Sequence, residues 1–466
     1  MHRTMRWHLP LFALGLLSGC SSPLIDAATP DKLEQFRTQL AAHVEQQEVD
    51  LCEARDVARH FAAKEITQAQ GLPGRWGLQH LAECAGHLDE ALAKRAETKD
   101  RVGALAALLR VESRLVPAMH YADHLTNEIP YWRAAAARSL ILQQPPDAFE
   151  NGYHDDLIFA GTWRRKLMTD PNQEVRLAAL RAASDARDPE DGAALIEAAR
   201  LDPDPEARLT AIVAAGATGS SALVLALKDL WARADEDNRL AIIGAWAAVR
   251  RKPAAGGGLE PCAGAGATSD SPRCLAYEQL ARVARSERGL PAVIAALELI
   301  HDADPAKPSA AEHAAAGVLE RAIDGNTMRT TVTAIEGVPL SWPDLRSAVL
   351  DAEKAEDNAI VAAALARRIE TSAPGEADDA RKRLRELSQT VGPARQIAKD
   401  ALVLAGDDSV VKLLEEDAAS KITARRISAA LAFTKLRRYG RALQLLADDD
   451  VRVRAATACA LLNADD

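Results

Sequence analysis

One local phrase is written twice in this chain, 32 residues apart. Asp170, Pro171, Val175, Arg176, Ala178, Ala179 and Leu180 return as Asp202, Pro203, Ala207, Arg208, Thr210, Ala211 and Ile212. A fixed period of that size marks an array of helix pairs, each able to bury its apolar face only against a neighbour. Within the first copy Val175, Ala179 and Ala182 fall on one helical face, Asp170 is placed to cap the helix and Pro171 to occupy its first turn. The expected fold is therefore all-α, an α-solenoid of antiparallel helix pairs forming a superhelix. Composition agrees, because hydrophobic residues make up 48% of the chain and aromatics only 4%. The core must be Ala, Leu, Val and Ile, which suits closely packed helices better than strands.

Asp235 to Arg239, with Leu240, Ala241 and Ile242, is a third copy that lacks the proline. Arg395 with Ala398, Ala401 and Leu402, Arg426 with Ala429, Ala430 and Leu431, and Arg454 with Ala455 and Ala458 recur at 31 and 28 residues. These residues resemble the HEAT-repeat (armadillo-like) family, especially its short bacterial type, in which the second helix of each unit opens with Asp-Pro and an Arg soon after. The resemblance covers the middle and the C-terminal end of the chain. It implies that the repeated Asp and Arg residues cap helices and bridge neighbouring units and are not a site.

The first 19 residues read as a lipoprotein signal peptide: Arg3 and Arg6 precede the apolar run Leu9 to Leu17, too short for a span of about 20 residues. Leu17, Ser18, Gly19 and Cys20 resemble a bacterial lipobox, which implies acylation of Cys20, and Ser21 favours the outer membrane. Residues 20–30 read as a tether and 31–120 as N-terminal helical hairpins. In the latter, one helix carries Leu33, Phe36, Leu40 and Val44, and a second from about Arg75 carries Leu78, Leu81, Leu88 and Leu92. Residues 121–252 read as HEAT-like repeats with an aromatic insertion, 253–274 as a Gly-rich insertion loop, 275–390 as irregular helical repeats and 391–466 as C-terminal HEAT-like repeats. The final helix shows no obvious polar capping repeat.

An oxidising compartment makes the cysteines candidates for disulfides. Cys262 and Cys274 bracket a Gly, Ala and Ser tract, and a bridge closing so short a loop is worth roughly 3 kcal/mol. Cys52 and Cys84 are a second candidate pair. On uninterrupted helices they would sit out of level by roughly 13 Å, so pairing requires the first helix to break. Cys459, amid Ala and Leu, reads as a buried free thiol.

The compositional outlier is the stretch from His120 to Trp163. His120, Tyr121, His124, Tyr131, Trp132, Tyr153, His154 and Trp163 are its candidate binding residues. Here the spacing from Arg133 to Arg176 is 43 residues, so some 11 must leave the repeat as a loop. Insertions in solenoids often map to a binding face, and aromatic anchors dominate interfaces; the plainer reading is a local aromatic core sealing an irregular unit. His80, Cys84 and His87 share a helical face, and His120 and His124 stand four apart. Neither set has a further ligand nearby, so no metal and no cofactor is expected.

The formal charge is −10, or −12 without Arg3 and Arg6, which argues against a nucleic-acid partner. Nucleophile elbow, phosphate loop, zinc-protease motif and Cys-x-x-Cys are all absent from the sequence, so no enzyme is expected. The expectation is a lipid-anchored scaffold that binds an envelope protein, tethered on the periplasmic side of the outer membrane. The alternative is a HEAT-like lyase or modifying enzyme with its site in residues 120–163.

Overall fold

The computed structural model describes residues 22–69, 81–143, 153–252, 262, 270–325, 327–373 and 375–465. Among these there are helices and turns and no strand. The Gln173–Ala186, Pro205–Thr218 and Glu236–Arg251 helices are the three copies of the repeated phrase, and each packs against the next. Their partners, Gly192–Leu201 and Ser221–Trp231, form a second row over them. The core is largely alanine: Ala178, Ala179, Ala183, Ala211, Ala214, Ala215 and Ala245 are all buried. Small side chains let helix axes approach closely, and at one crossing even alanine is too large. A Cβ on Gly216 would lie 2.6 Å from Ala245 Cα.

The Asp-Pro pair turns out to mark the turn and not the helix start. Asn172 caps the first copy, its side chain accepting from the Glu174 N–H, while Asp170 accepts from the N–H of Asn172 two residues earlier. In the second copy Asp204 caps and Pro205 takes the first turn, with Asp202 accepting from the Asp204 N–H. Freed from capping, the Asp170 and Asp202 carboxylates each point to the preceding unit's arginine. Arg133 binds Asp170 through two bonds of 3.0 and 2.9 Å, and Arg176 binds Asp202 through bonds of 2.7 and 3.0 Å. The remaining terminal nitrogen of each donates to carbonyls of its own turn, Asn127 and Asp170 respectively. Arg426 repeats the device with Asp448 and Ser420.

The array runs on through residues 275–390. The Leu290–Ile300, Met328–Gly337 and Asn358–Thr371 helices continue the row, followed by Pro393–Leu404, Thr423–Lys435 and Val451–Leu462. It then meets its own beginning. The Leu51–Gln68 helix packs on Val451–Leu462 as though it were the next unit, and leads through Asp89–Ala96 to Arg101–Glu112 and Pro130–Arg138, the row's first members. Beside it the Leu33–Gln46 helix packs on Tyr439–Gln444. Arg454 donates to Glu65 at 2.9 and 2.6 Å and to the Asp448 carbonyl, which is the same inter-unit contact in the same register. Arg37 reaches the Ala447 carbonyl and Asp449, Arg55 the Ala464 carbonyl, and Asn463 the Glu83 carbonyl. The solenoid is thus a closed circuit, and the last helix lacks a polar cap because the first hairpin covers it.

Three expectations are corrected here. The long first helix ends at Gln46 and restarts at Leu51 behind the Asp50 cap, so the hairpin is Leu33–Gln46 with Leu51–Gln68. Cys84 bridges Cys459, with Cα atoms 5.0 Å apart, and not Cys52. Cys459 is therefore no free thiol: sequence offset along one hairpin could not reveal a partner 375 residues away, brought there by closure. The tether is packed from residue 22, for Ser22, Leu24, Ala27 and Ala28 are buried and the Ser22 hydroxyl donates to Glu53. Cys262 and Cys274 are bridged as expected, also 5.0 Å apart at Cα. Residues 1–21, with Cys20 and the signal peptide, and most of the Gly-rich loop lie outside the described residues.

Candidate interaction surfaces

The aromatic stretch divides into two groups. Tyr121, Tyr131 and Trp132 are buried. The His124 ring stacks on Trp132 with centroids 4.4 Å apart, Tyr121 lies 5.8 Å from Trp132, and His120 meets Tyr121 edge-on at 4.7 Å. The indole N–H of Trp132 donates to the Lys99 carbonyl, Arg110 donates to the Tyr121 hydroxyl oxygen, and the Arg101 guanidinium covers Tyr131. Desolvation holds the His124 imidazole below its ordinary pKa, outweighing Asp123. This is a sealed local core with only the His120 edge exposed.

The second group lies on the Tyr153–Leu167 helix. Trp163 is half-buried under the Lys166 ammonium, 4.2 Å from the ring centroid, with Phe159 6.3 Å away. Ile158 and Phe159 face solvent at 53% and 39% exposure, which leaves an apolar edge. His154, Ile158 and Arg165 border a cavity of about 430 Å3 with Arg187 and Glu190. The Tyr153 side chain and residues 144–152, most of the predicted insertion loop, lie outside the described residues. No described group of three or more His, Cys, Asp or Glu residues is arranged to hold a metal ion, and His80 lies outside that set.

A buried charged cluster under the second group carried no sequence signal of its own. Arg164, 1% exposed, donates to Asp191 at 2.7 Å, to Asp188 at 2.8 Å and to the Leu140 carbonyl at 3.0 Å. It fastens the irregular unit to its successor in addition to the Arg176–Asp202 ladder contact. A second omission was legible in principle. The ladder arginine stands four residues after the helix cap at 133, 176, 208, 239, 426 and 454, but the equivalent positions hold Val293, Thr331, Val361 and Gln396. The ladder carboxylate is missing in places too, since Arg233, Gly325, Ala355, Thr390 and Ser420 stand where Asp170 and Asp202 stand in their units.

Two of these breaks, at Arg208 with Arg233 and at Val293 with Gly325, adjoin cavities at the edge where first helices turn into second helices. One, of about 690 Å3, is bordered by Arg200, Arg208 and Arg233 together with Leu201, Asp229 and Asp235. The other, of about 520 Å3, is bordered by Arg285, Arg288 and Arg321 over Ala292, Val293 and Val318. Between them Trp231 lies under Arg239 and Arg282, at 5.3 and 6.0 Å, and its N–H donates to Glu287.

Residues 162–247, which hold three of the ladder arginines, match the family model for HEAT repeats. The fold is an α-solenoid of stacked helix pairs, and the HEAT match covers its residues 162–247. Among solved structures, the chain is similar to an engineered protein from the Northeast Structural Genomics Consortium, at 18% identity over 75% of this chain and 99% of that one, with a TM-score of 0.27. At that score the likeness adds nothing to the fold. No curated protein matches.

Proposed function

We propose that this protein is a lipid-anchored HEAT-repeat scaffold of the bacterial cell envelope, held at the periplasmic side of the outer membrane and binding an envelope protein. The observation that carries the reading is a repeat array whose members use their repeated Arg and Asp residues to stack one another, while large apolar side chains such as Leu201, Val213 and Leu404 stay exposed at 72%, 53% and 71%. Such residues on a stable array offer contact area to a partner. The anchor rests on Leu17, Ser18, Gly19 and Cys20. Ser22 is already packed, so an acyl chain on Cys20 leaves almost no slack and sets the body against the bilayer. The lyase or modifying-enzyme reading loses Tyr121, Tyr131 and Trp132, which are engaged in a local core.

Affinity purification of the lipidated protein from membranes tests the scaffold: a stoichiometric envelope protein is expected, and none would contradict it. Cys20→Ser is expected to release the chain from membranes. Unchanged retention, or a Cys20 to Cys52 disulfide in place of a thioether at Cys20, would overturn the anchor.

A further inference from the structure

The arginines at these two breaks lack the carboxylate partners that hold the ladder arginines. Arg133, Arg176 and Arg426 each hold a carboxylate, but Arg208 finds only the Asp202 and Pro203 carbonyls. Among the described residues no ion pair is found at Arg200, Arg233, Arg285, Arg288 or Arg321, all five are exposed, and Arg285 donates only to the Ala281 carbonyl of its own helix. They gather on one edge of a protein whose net charge is −10, so the concentration of positive charge runs against the composition. The carboxylates there are already occupied in part: Glu287 serves Trp231 and lies 3.9 Å from Arg239, and Asp235 caps its helix. Each cavity also has an apolar floor, supplied by Leu201 and Leu230 in one and by Val293 and Val318 in the other.

We propose that this arginine edge, from Arg200 to Arg321, docks an acidic, extended segment of a partner protein, its carboxylates paired with the guanidiniums that lack a carboxylate and its aliphatic side chains seated in the two cavities. The inference rests on the scaffold reading and names the chemistry of its partner. Guanidiniums present paired donors that match carboxylates, and the apolar floors favour side chains over a bare phosphate chain. The cavities are separated by two helix-pair steps, roughly 20 Å at the usual interaxial spacing. An extended chain covers that in about six residues. A segment with acidic residues grouped about that far apart would engage both breaks at once. Because the arginines are exposed, attraction must weaken with salt.

The test uses the full chain and a short fluorescein-labelled peptide alternating Glu and Leu, read by anisotropy. The variant Arg233→Glu, Arg288→Glu, Arg321→Glu is expected to bind at least roughly tenfold more weakly. Arg425→Glu, an exposed arginine on a distant unit, is expected to bind like the wild type. The corresponding Gln-Leu peptide should bind weakly to both. Equal binding of the Gln-Leu peptide, equal binding by the triple variant, or no binding at all would overturn the proposal. So would displacement of the acidic peptide by inorganic phosphate or by a DNA duplex at comparable concentration, since either would mark a site for phosphate. If the peptide fails while an envelope protein still co-purifies with the wild-type chain, the edge is wrong and the scaffold stands. If the peptide binds at this edge but no envelope protein co-purifies, the edge stands and the scaffold reading fails.

Discussion

Arg176 shows what a single residue contributes to this fold. Its guanidinium and the Asp202 carboxylate are 10% and 3% exposed, and four hydrogen bonds run from the guanidinium to one carboxylate and two carbonyls. Removing one member of so buried a pair strands the other, which typically costs about 3–5 kcal/mol. Arg176→Ala should therefore lower the melting temperature clearly, whereas Arg452→Ala, which removes a 45% exposed guanidinium and leaves Asp450 bonded to Thr423 and to its helix N-terminus, should change it little. Thermal melts of both variants check the contrast. Asp407 supplies a pH prediction. Burial raises its carboxyl, but Arg385 and the Ser409 N–H outweigh that and hold it below the ordinary value. A lowered carboxyl contributes stability above the ordinary carboxylate range and loses it as pH falls through the folded value. Arg385→Gln should thus be less stable than the wild type near neutrality, with the difference fading in acid; melts from pH 7 to about 2 would show it. At this scale the sequence was a good guide to the arginines and a poor one to the caps. The repeated Asp could be recognised, but whether it bonds its own helix or its neighbour's arginine depends on a turn two residues long.

At the scale of elements, the helix pairs of the regular units were legible because three copies of one phrase fix period, face and turn together. The aromatic stretch was legible as an anomaly but not as a core. Composition cannot say that Trp132 points at the Lys99 carbonyl and not at solvent. The cysteines failed for a related reason, since pairing was judged along one hairpin when the partner belonged to the far end of the chain. Close approach between adjacent helices gives a test with an internal control. Gly216→Ala would place a Cβ 2.6 Å from the Ala245 backbone and should destabilise the array by roughly 1–3 kcal/mol. Gly244, an exposed glycine in the neighbouring helix with nothing within 4 Å of its would-be Cβ, should gain about 0.5–1 kcal/mol as Ala through helix propensity. Denaturant melts of the two variants should move in opposite directions, and a Gly216→Ala protein as stable as the wild type would contradict the packing described.

For the whole molecule the consequence is closure. Open arrays need polar caps at both ends because their terminal units expose an apolar face. Here the first hairpin and the last unit cover each other, using Arg454 and Glu65 where other units use Arg and Asp. Nothing in the local sequence announces this, because the residues involved lie 389 positions apart and Glu65 is not in a copy of the repeat. A cross-link over 375 residues removes much unfolded-state freedom, on the order of 5 kcal/mol in the chain-entropy account. Opening it by Cys84→Ser should increase hydrogen exchange in the Leu33–Gln46 and Val451–Leu462 helices before the middle of the array responds. The most direct measurement is peptide mapping of the oxidised, unreduced protein by mass spectrometry. Closure predicts a linked pair of peptides containing Cys84 and Cys459; a Cys84 joined to Cys52, or a Cys459 that alkylates as a free thiol, would contradict it.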